Sequence, residues 1–173
     1  KHIKEGERVV YAQSALGAYS SIHNVPAEKA ALLPNAIGFE QAAASFLKGL
    51  TVYYLLRKTY EIKPDEQFLF HAAAGGVGLI ACQWAKALGA KLIGTTGSAQ
   101  KAQRALDAGA WQVINYREES IVERLKEITG GKKVRVVYDS VGKDTWESSL
   151  DCLQRRGLMV SFGNASGAVT GVN

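Results

Sequence analysis

The sequence predicts an α/β fold, a doubly wound parallel sheet with helices on both faces. Three observations carry that expectation. Apolar runs of strand length recur between residues 67 and 162, and stretches of helical period lie between them. Gly89, Gly109, Gly130 and Gly157 each follow a predicted helix end, where a left-handed cap is wanted. Strands alternating with helices on short links imply parallel strands joined by right-handed crossovers.

Residues 1–38 hold short β-like pieces broken by Gly17, Pro26, Pro34 and Gly38, and read as the tail of a β-rich domain. Residues 39–60 read as helical, with Ala42, Phe46, Leu50, Tyr53 and Tyr54 on apolar positions and a break expected at Gly49. Pro64-Asp65 then turns the chain into the first sheet strand. Strands are predicted over 67–72, 91–95, 112–115, 134–139 and 158–162. Several are nearly continuous apolar runs, which suits strands covered on both faces. Helices are predicted over 77–88, 99–108, 121–128 and 145–153. The domain boundary is expected between 38 and 39, with residues 39–173 forming a dinucleotide-binding domain. Such a domain usually has six strands, so five of six are present and the last is expected after Asn173. The opening residues, Lys1 to Ser14, read as the middle of a fold, so the chain is expected to be a segment of a larger protein.

Composition narrows the function. The chain has 173 residues, is 47% apolar and 21% charged, and carries a net charge of +5, the profile of an ordinary globular chain. The basic residues interleave with acids, as in Glu123-Arg124-Leu125-Lys126-Glu127, so a nucleic-acid partner is disfavoured. No apolar run approaches the roughly 20 residues that span a bilayer, and no membrane partner is expected. Two cysteines, Cys82 and Cys152, cannot make a disulfide framework, and a reducing cytoplasm is the expected compartment.

The chemistry sits after the first sheet strand, in Ala73-Ala74-Gly75-Gly76-Val77-Gly78. Strand, glycine turn and helix form the unit that lays a pyrophosphate on a helix N-terminus, the Rossmann arrangement. Gly75 lets a phosphate approach the backbone and Gly78 lets helix and strand pack closely, while Ala73 stands where the common fingerprint has its first glycine. Gly76 and Val77 are expected to donate backbone amides. About 20 residues on, an NAD enzyme places a ribose-binding carboxylate. Here that place holds Gly94-Thr95-Thr96-Gly97-Ser98, followed by Lys101 and Arg104, and no acid occurs anywhere from Gln67 to Leu106. Hydroxyls and cations suit a 2′-phosphate, so NADPH is expected rather than NADH, in a pocket that offers no anion.

The stretch from Pro64 to Gly78, Phe46-Leu47-Lys48-Gly49-Leu50-Thr51, Tyr138-Asp139-Ser140-Val141-Gly142 and Phe162-Gly163-Asn164 together resemble the quinone oxidoreductases, the zeta-crystallin group of the medium-chain dehydrogenase/reductase superfamily. The resemblance runs along essentially the whole chain and covers only the middle of such a protein. It implies a preceding GroES-like β-rich catalytic domain, of which residues 1–38 would be the end. It also implies roles. Ser98 and Lys101, with Gly97 for room, resemble the 2′-phosphate pocket, and Tyr116 resembles a tyrosine lying against that phosphate. The alternatives are a solvated lysine and a rim aromatic. Thr51 resembles a residue lining the nicotinamide side, with Lys48 one turn earlier, either beside the cofactor or simply on the surface. Ser140, Phe162, Gly163 and Asn164 follow strands at the carboxyl edge, where open α/β sheets bind ligands. The full-length protein is expected to be a homodimer.

Zinc is disfavoured because it needs three or four converging ligands. His2, His23 and His71 are scattered, and neither cysteine has a Cys-x-x-Cys partner. Where zinc-dependent cousins place a cysteine, this chain has Leu47. His71 reads as a satisfied core histidine. No hydrolase elbow and no nucleotide-triphosphate loop occurs. The expected function is the cofactor-binding domain of a zinc-independent NADPH:quinone reductase, with no catalytic residue identified and little activity expected of this segment alone. The alternatives are a medium-chain enoyl or alkenal reductase and a non-catalytic NADPH- or RNA-binding module.

Overall fold

A computed structural model describes residues 3–13 and 16–172. Expectations that fall on Lys1, His2, Ser14 and Asn173 lie outside the described residues. The chain divides into two compact units, Lys1–Thr51 and Val52–Asn173.

In the first unit, strand β1 (Val9–Tyr11) pairs antiparallel with β2 (Ala30–Leu32). The Arg8 guanidinium donates to the carbonyls of Pro34 at 3.2 Å and Ile37 at 2.6 Å and lies 4.4 Å from the centroid of Phe39. It thereby ties β1 to the turn that opens helix α1 (Phe39–Tyr54).

Helix α1 runs through Gly49 without the expected break. A single helical glycine costs only about 1 kcal/mol relative to alanine, too little to interrupt an apolar pattern that continues past it. The helix changes instead after Tyr54, where Leu55–Thr59 widens into a π turn. The Tyr138 hydroxyl donates to the Leu55 carbonyl there at 2.9 Å, so this buried polar pair is satisfied across the second unit.

The second unit is the parallel sheet. Its strands are β3 (Gln67–Phe70), β4 (Lys91–Thr96), β5 (Gln112–Asn115), β6 (Val134–Asp139) and β7 (Leu153–Ser161), in the spatial order β5-β4-β3-β6-β7. Every adjacent pair is parallel. The chain starts at the centre, moves outward through β4 and β5, then crosses back to β6 beside β3. That reversal opens a crevice at the carboxyl ends of β3 and β6. The intervening helices are α2 (Gly76–Ala87), α3 (Ala99–Asp107), α4 (Ile121–Ile128) and α5 (Trp146–Asp151).

Strand alternation decides which face each helix covers. Phe68, Phe70, Leu92, Val136 and Tyr138 pack with Ala81, Cys82 and Ala85 of α2 and Ala105 of α3. Leu69, Ile93, Ile114 and Val137 point the other way, onto Leu125 of α4 and Cys152. Each large apolar side chain buried this way contributes about 1.5–3 kcal/mol. The ion pairs, such as Arg124–Glu127 and Lys126–Glu123, lie on the surface and contribute about 0–1 kcal/mol apiece, so the two apolar clusters hold the unit together.

Strand β7 corrects the expected strand over 158–162. It begins at Leu153, opposite Val134, and its register jumps before Val136 pairs with Leu158. Helix α5 is correspondingly shorter than the expected 145–153. The left-handed residue in this bulge is Arg156, at φ +64°, and not Gly157. Gly157 is needed for closeness instead: an added Cβ would lie 2.9 Å from Leu153 Cδ2 and 3.1 Å from the Arg135 carbonyl oxygen. Gly89, Gly109 and Gly130 do take positive φ after α2, α3 and α4. Among the described residues, no helix is long and apolar enough to cross a membrane.

Candidate functional site

The glycine turn follows β3 directly. Ala72 takes φ +54°, the Gly75 amide bonds back to the Ala72 carbonyl at 2.9 Å, and α2 begins at Gly76. Gly78 is obligatory, because an added Cβ would sit 2.5 Å from the carbonyl oxygens of both Ala72 and Ala73. Ala73 is tolerated in place of the first fingerprint glycine for a reason found on the neighbouring strand. A Cβ at Gly94 would meet the Ala73 methyl at 2.5 Å, so β4 gives up the side chain that the turn retains.

The first-turn amides of α2, from Gly76, Val77 and Gly78, have no acceptor within the helix. Its N-cap, Gly75, has no side-chain oxygen to cap them, whereas Ser98 caps α3 and Ser120 caps α4. The N-terminus of α2 therefore presents donors and a positive dipole end to an anion.

A cavity of about 530 Å³ lies beside this turn. Its floor is Ala72, Ala74 and Gly75, one wall is Thr95, Thr96 and Gly97 with Lys101 and Tyr116, and the other is Val141, Thr145 and Ser148. Lys101 is the one cation among the lining residues. The expectation of a pocket without anions needs correction, since Glu119 and Asp144 also line it. Neither stands at the end of β4. Glu119 accepts from the Asn115 amide at 3.1 Å and lies 3.5 Å from the Arg124 guanidinium, so its charge is largely answered.

Apart from Gly76, Val77 and Gly78 in the first turn of α2, the predicted residues fall into three groups. Gly75, Gly97, Lys101 and Tyr116 line the cavity. Gly97 leaves room for Tyr116 itself, since an added Cβ would lie 2.5 Å from the Tyr116 hydroxyl. Ser98 stands beside them but accepts from the Lys101 amide at 3.3 Å as the α3 cap, leaving its hydroxyl proton to donate elsewhere. Ser140, Phe162, Gly163 and Asn164 form a second cluster at the ends of β6 and β7. There the Ala165 amide bonds the Ser140 carbonyl at 3.0 Å, and Gly163 packs against Ser140 so closely that a Cβ would meet its carbonyl at 3.0 Å. None of these four lines the cavity. Lys48 and Thr51 belong to the first unit, where each side chain donates to a carbonyl of its own helix, Ala44 at 2.7 Å and Leu47 at 3.0 Å.

Sequence reasoning missed a buried polar network behind the cavity. Asp139 Oδ1 accepts from the amides of Val141 at 2.7 Å and Gly142 at 3.0 Å, and Oδ2 accepts from the hydroxyls of Thr145 at 2.7 Å and Ser149 at 2.8 Å. Burial by itself would raise its carboxyl pKa, but these donors outweigh burial and hold it below the usual carboxylate value. His71 joins the network through Thr95 and Ser149, both at 2.9 Å, and burial pulls its imidazole down to about 4. The available signal was a run of polar residues, His71, Thr95, Thr96 and Asp139, where apolar strands end.

The sequence profile described as zinc-binding dehydrogenase matches residues 76–173, more than half of the chain. The chain belongs to the zinc-binding dehydrogenase family. Within it, the chain is 90% identical to the quinone oxidoreductase of Salmonella typhimurium over all 173 residues, which make up 53% of that protein. It is 47% identical to a 2-haloacrylate reductase from Burkholderia, covering 94% of this chain and 49% of the relative. The crystal structure of the Escherichia coli quinone oxidoreductase complexed with NADPH superposes with a TM-score of 0.97 at 90% identity, covering all of this chain and 53% of that one. The chain thus spans about half the length of the relatives it matches, and its resemblance to quinone oxidoreductases stands.

The family's description names zinc, but this part of the chain does not fit one. Among the described residues, no three His, Cys, Asp or Glu side chains converge. Cys82 and Cys152 are buried in two separate apolar clusters, and both nitrogens of His71 are engaged.

Proposed function

We propose that this chain binds NADPH and forms the cofactor-binding part of a quinone reductase that works without zinc. The observation that carries this reading is the pairing of an uncapped glycine-turn helix with Ser98 and Lys101 just beyond β4, where a carboxylate would select against an extra phosphate, and with Tyr116 just beyond β5. The Salmonella relative of 90% identity and the NADPH complex of the Escherichia coli enzyme support it. In this reading the amides of Gly76, Val77 and Gly78 hold the pyrophosphate, and Lys101 and Ser98 take the 2′-phosphate with Tyr116 over it. Ser140, Phe162, Gly163 and Asn164 serve the cofactor at the carboxyl edge of the sheet; Thr51, with Lys48 one turn before it, is assigned to the nicotinamide.

Bound there, a dihydronicotinamide supplies a hydride that reduces a quinone, with one proton taken up as the hydroquinone forms. The protein's contribution is to bind and orient. The 2-haloacrylate reductase relative supports a wider substrate class, electron-poor alkenes conjugated to a carbonyl. The same reading places residues 39–173 in the dinucleotide-binding domain and residues 1–38 in a β-rich one, the protein in the cytoplasm, and the full-length enzyme in a homodimer.

Lys101→Ala tests the phosphate pocket. A hydrogen bond to a charged group contributes about 1.5–3 kcal/mol, and the exposure of Lys101 puts it at the low end. The variant is expected to bind NADPH roughly tenfold more weakly and NADH unchanged, as read by fluorescence titration. Equal losses for both cofactors would remove Lys101 from the phosphate site.

A further inference from the structure

His71 is fully buried just after β3 and does not line the cavity, yet Ala72, which follows it, and Thr95, which bonds it, both do. Hydrogen-bond bookkeeping fixes its tautomer. The single Ser149 hydroxyl proton goes to Asp139 Oδ2, which as a carboxylate oxygen can only accept. Ser149 Oγ must therefore receive a proton from His71 Nε2, 2.9 Å away. The neutral ring then has a bare Nδ1, which accepts from the Thr95 hydroxyl at 2.9 Å. One directed chain results, from Thr95 through His71 and Ser149 to Asp139, which also accepts from the Val141 amide and the Thr145 hydroxyl on its other side. Its two ends, Thr95 on one side and Val141 with Thr145 on the other, form opposite walls of the same cavity. Thr95, Asp139, Thr145 and Ser149 are all buried, so leaving one of them without a partner is costly.

We propose that His71 is a positioning residue that ties the two walls of the cofactor cleft together, so that cofactor affinity depends on a side chain that lies outside the cleft. The proposal rests on the NADPH reading above. An apolar residue at this position would leave the Thr95 hydroxyl and the Ser149 oxygen unpaired and would remove the side-chain tie that joins the β4 wall to the α5 wall above the sheet.

The test is NADPH titration of the wild type, His71→Leu and His71→Asn, with folding checked by circular dichroism at the assay temperature. His71→Leu is expected to raise the Kd roughly tenfold, within the range of couplings through shared networks. His71→Asn, whose amide oxygen can accept from Thr95, should recover part of that loss, a rescue that simple destabilisation would not give. Should His71→Leu not fold, Ser149→Ala carries the same test, since it unpairs Nε2 while keeping the ring. In the wild type, ¹⁵N NMR should show His71 protonated on Nε2 only, with a shift that moves when NADPH is added. A folded His71→Leu or Ser149→Ala with wild-type affinity, or a proton on Nδ1, overturns the proposal. A wild type that binds no NADPH overturns the cofactor reading first, and the proposal with it.

Discussion

Gly78→Ala is expected to lower the stability of the chain by about 3 kcal/mol and to abolish cofactor binding. An alanine methyl at that position would lie 2.5 Å from two backbone carbonyl oxygens and 2.6 Å from the Ala73 carbonyl carbon. These are main-chain atoms at the junction of β3 and α2, so no side chain can swing aside to relieve the overlap. The helix must lift from the strand, which spoils packing between Ala81, Cys82 and the sheet and moves the first-turn amides. For a chain of this size the change corresponds to a melting temperature lower by roughly 6–12 °C. Gly49→Ala is the matching control. A Cβ there meets nothing within 4 Å, and the residue lies inside a regular helix, so the substitution should stabilise by up to about 1 kcal/mol. Thermal melts of the two variants check both signs; equal effects would mean that glycine content, and not close approach, matters at Gly78.

Acid should weaken the fold through His71 before it reaches the carboxylates. The buried imidazole titrates at about 4 in the folded chain and at 6.5 when exposed, so between those values the unfolded chain binds a proton that the folded chain refuses. Stability is full above pH 6.5 and falls as the pH drops toward 4, by about 3 kcal/mol in all, most of it lost by pH 4.5. Asp139 acts in the same direction at lower pH: its folded pKa is depressed, so its contribution is present above the ordinary carboxylate range and is lost as the pH falls through the folded value. Urea denaturation at pH 7 and pH 4.5 measures the first window. The expected result is a clear loss for the wild type that is absent in a variant lacking the imidazole, such as His71→Asn. A wild-type midpoint that does not change between the two pH values would show that His71 titrates normally.

The sheet was legible because its strands are short apolar runs bounded by glycines. The strands over Gln112–Asn115 and Val134–Asp139 and the helix over Ile121–Ile128 fall where the pattern puts them. Strand β7 was not legible at its start, since Gln154, Arg155 and Arg156 sit in a bulge and carry no apolar period. Gly49 has a helix breaker's propensity, yet the apolar pattern on both sides of it carries α1 through. At the site, local spacing was enough to find the glycine turn and Lys101. It could not show that Gly94 makes room for Ala73, or that Gly97 makes room for Tyr116, because each pair meets only across neighbouring strands. The His71 network was hidden for the same reason, its members being up to 78 residues apart.

The preference between the two nicotinamide cofactors tests the account most directly, because NADPH and NADH differ only in the phosphate assigned to Lys101 and Ser98. Parallel fluorescence titrations of the wild-type chain at fixed ionic strength should give a Kd for NADPH at least roughly tenfold below that for NADH. Equal dissociation constants, or tighter binding of NADH, would contradict it.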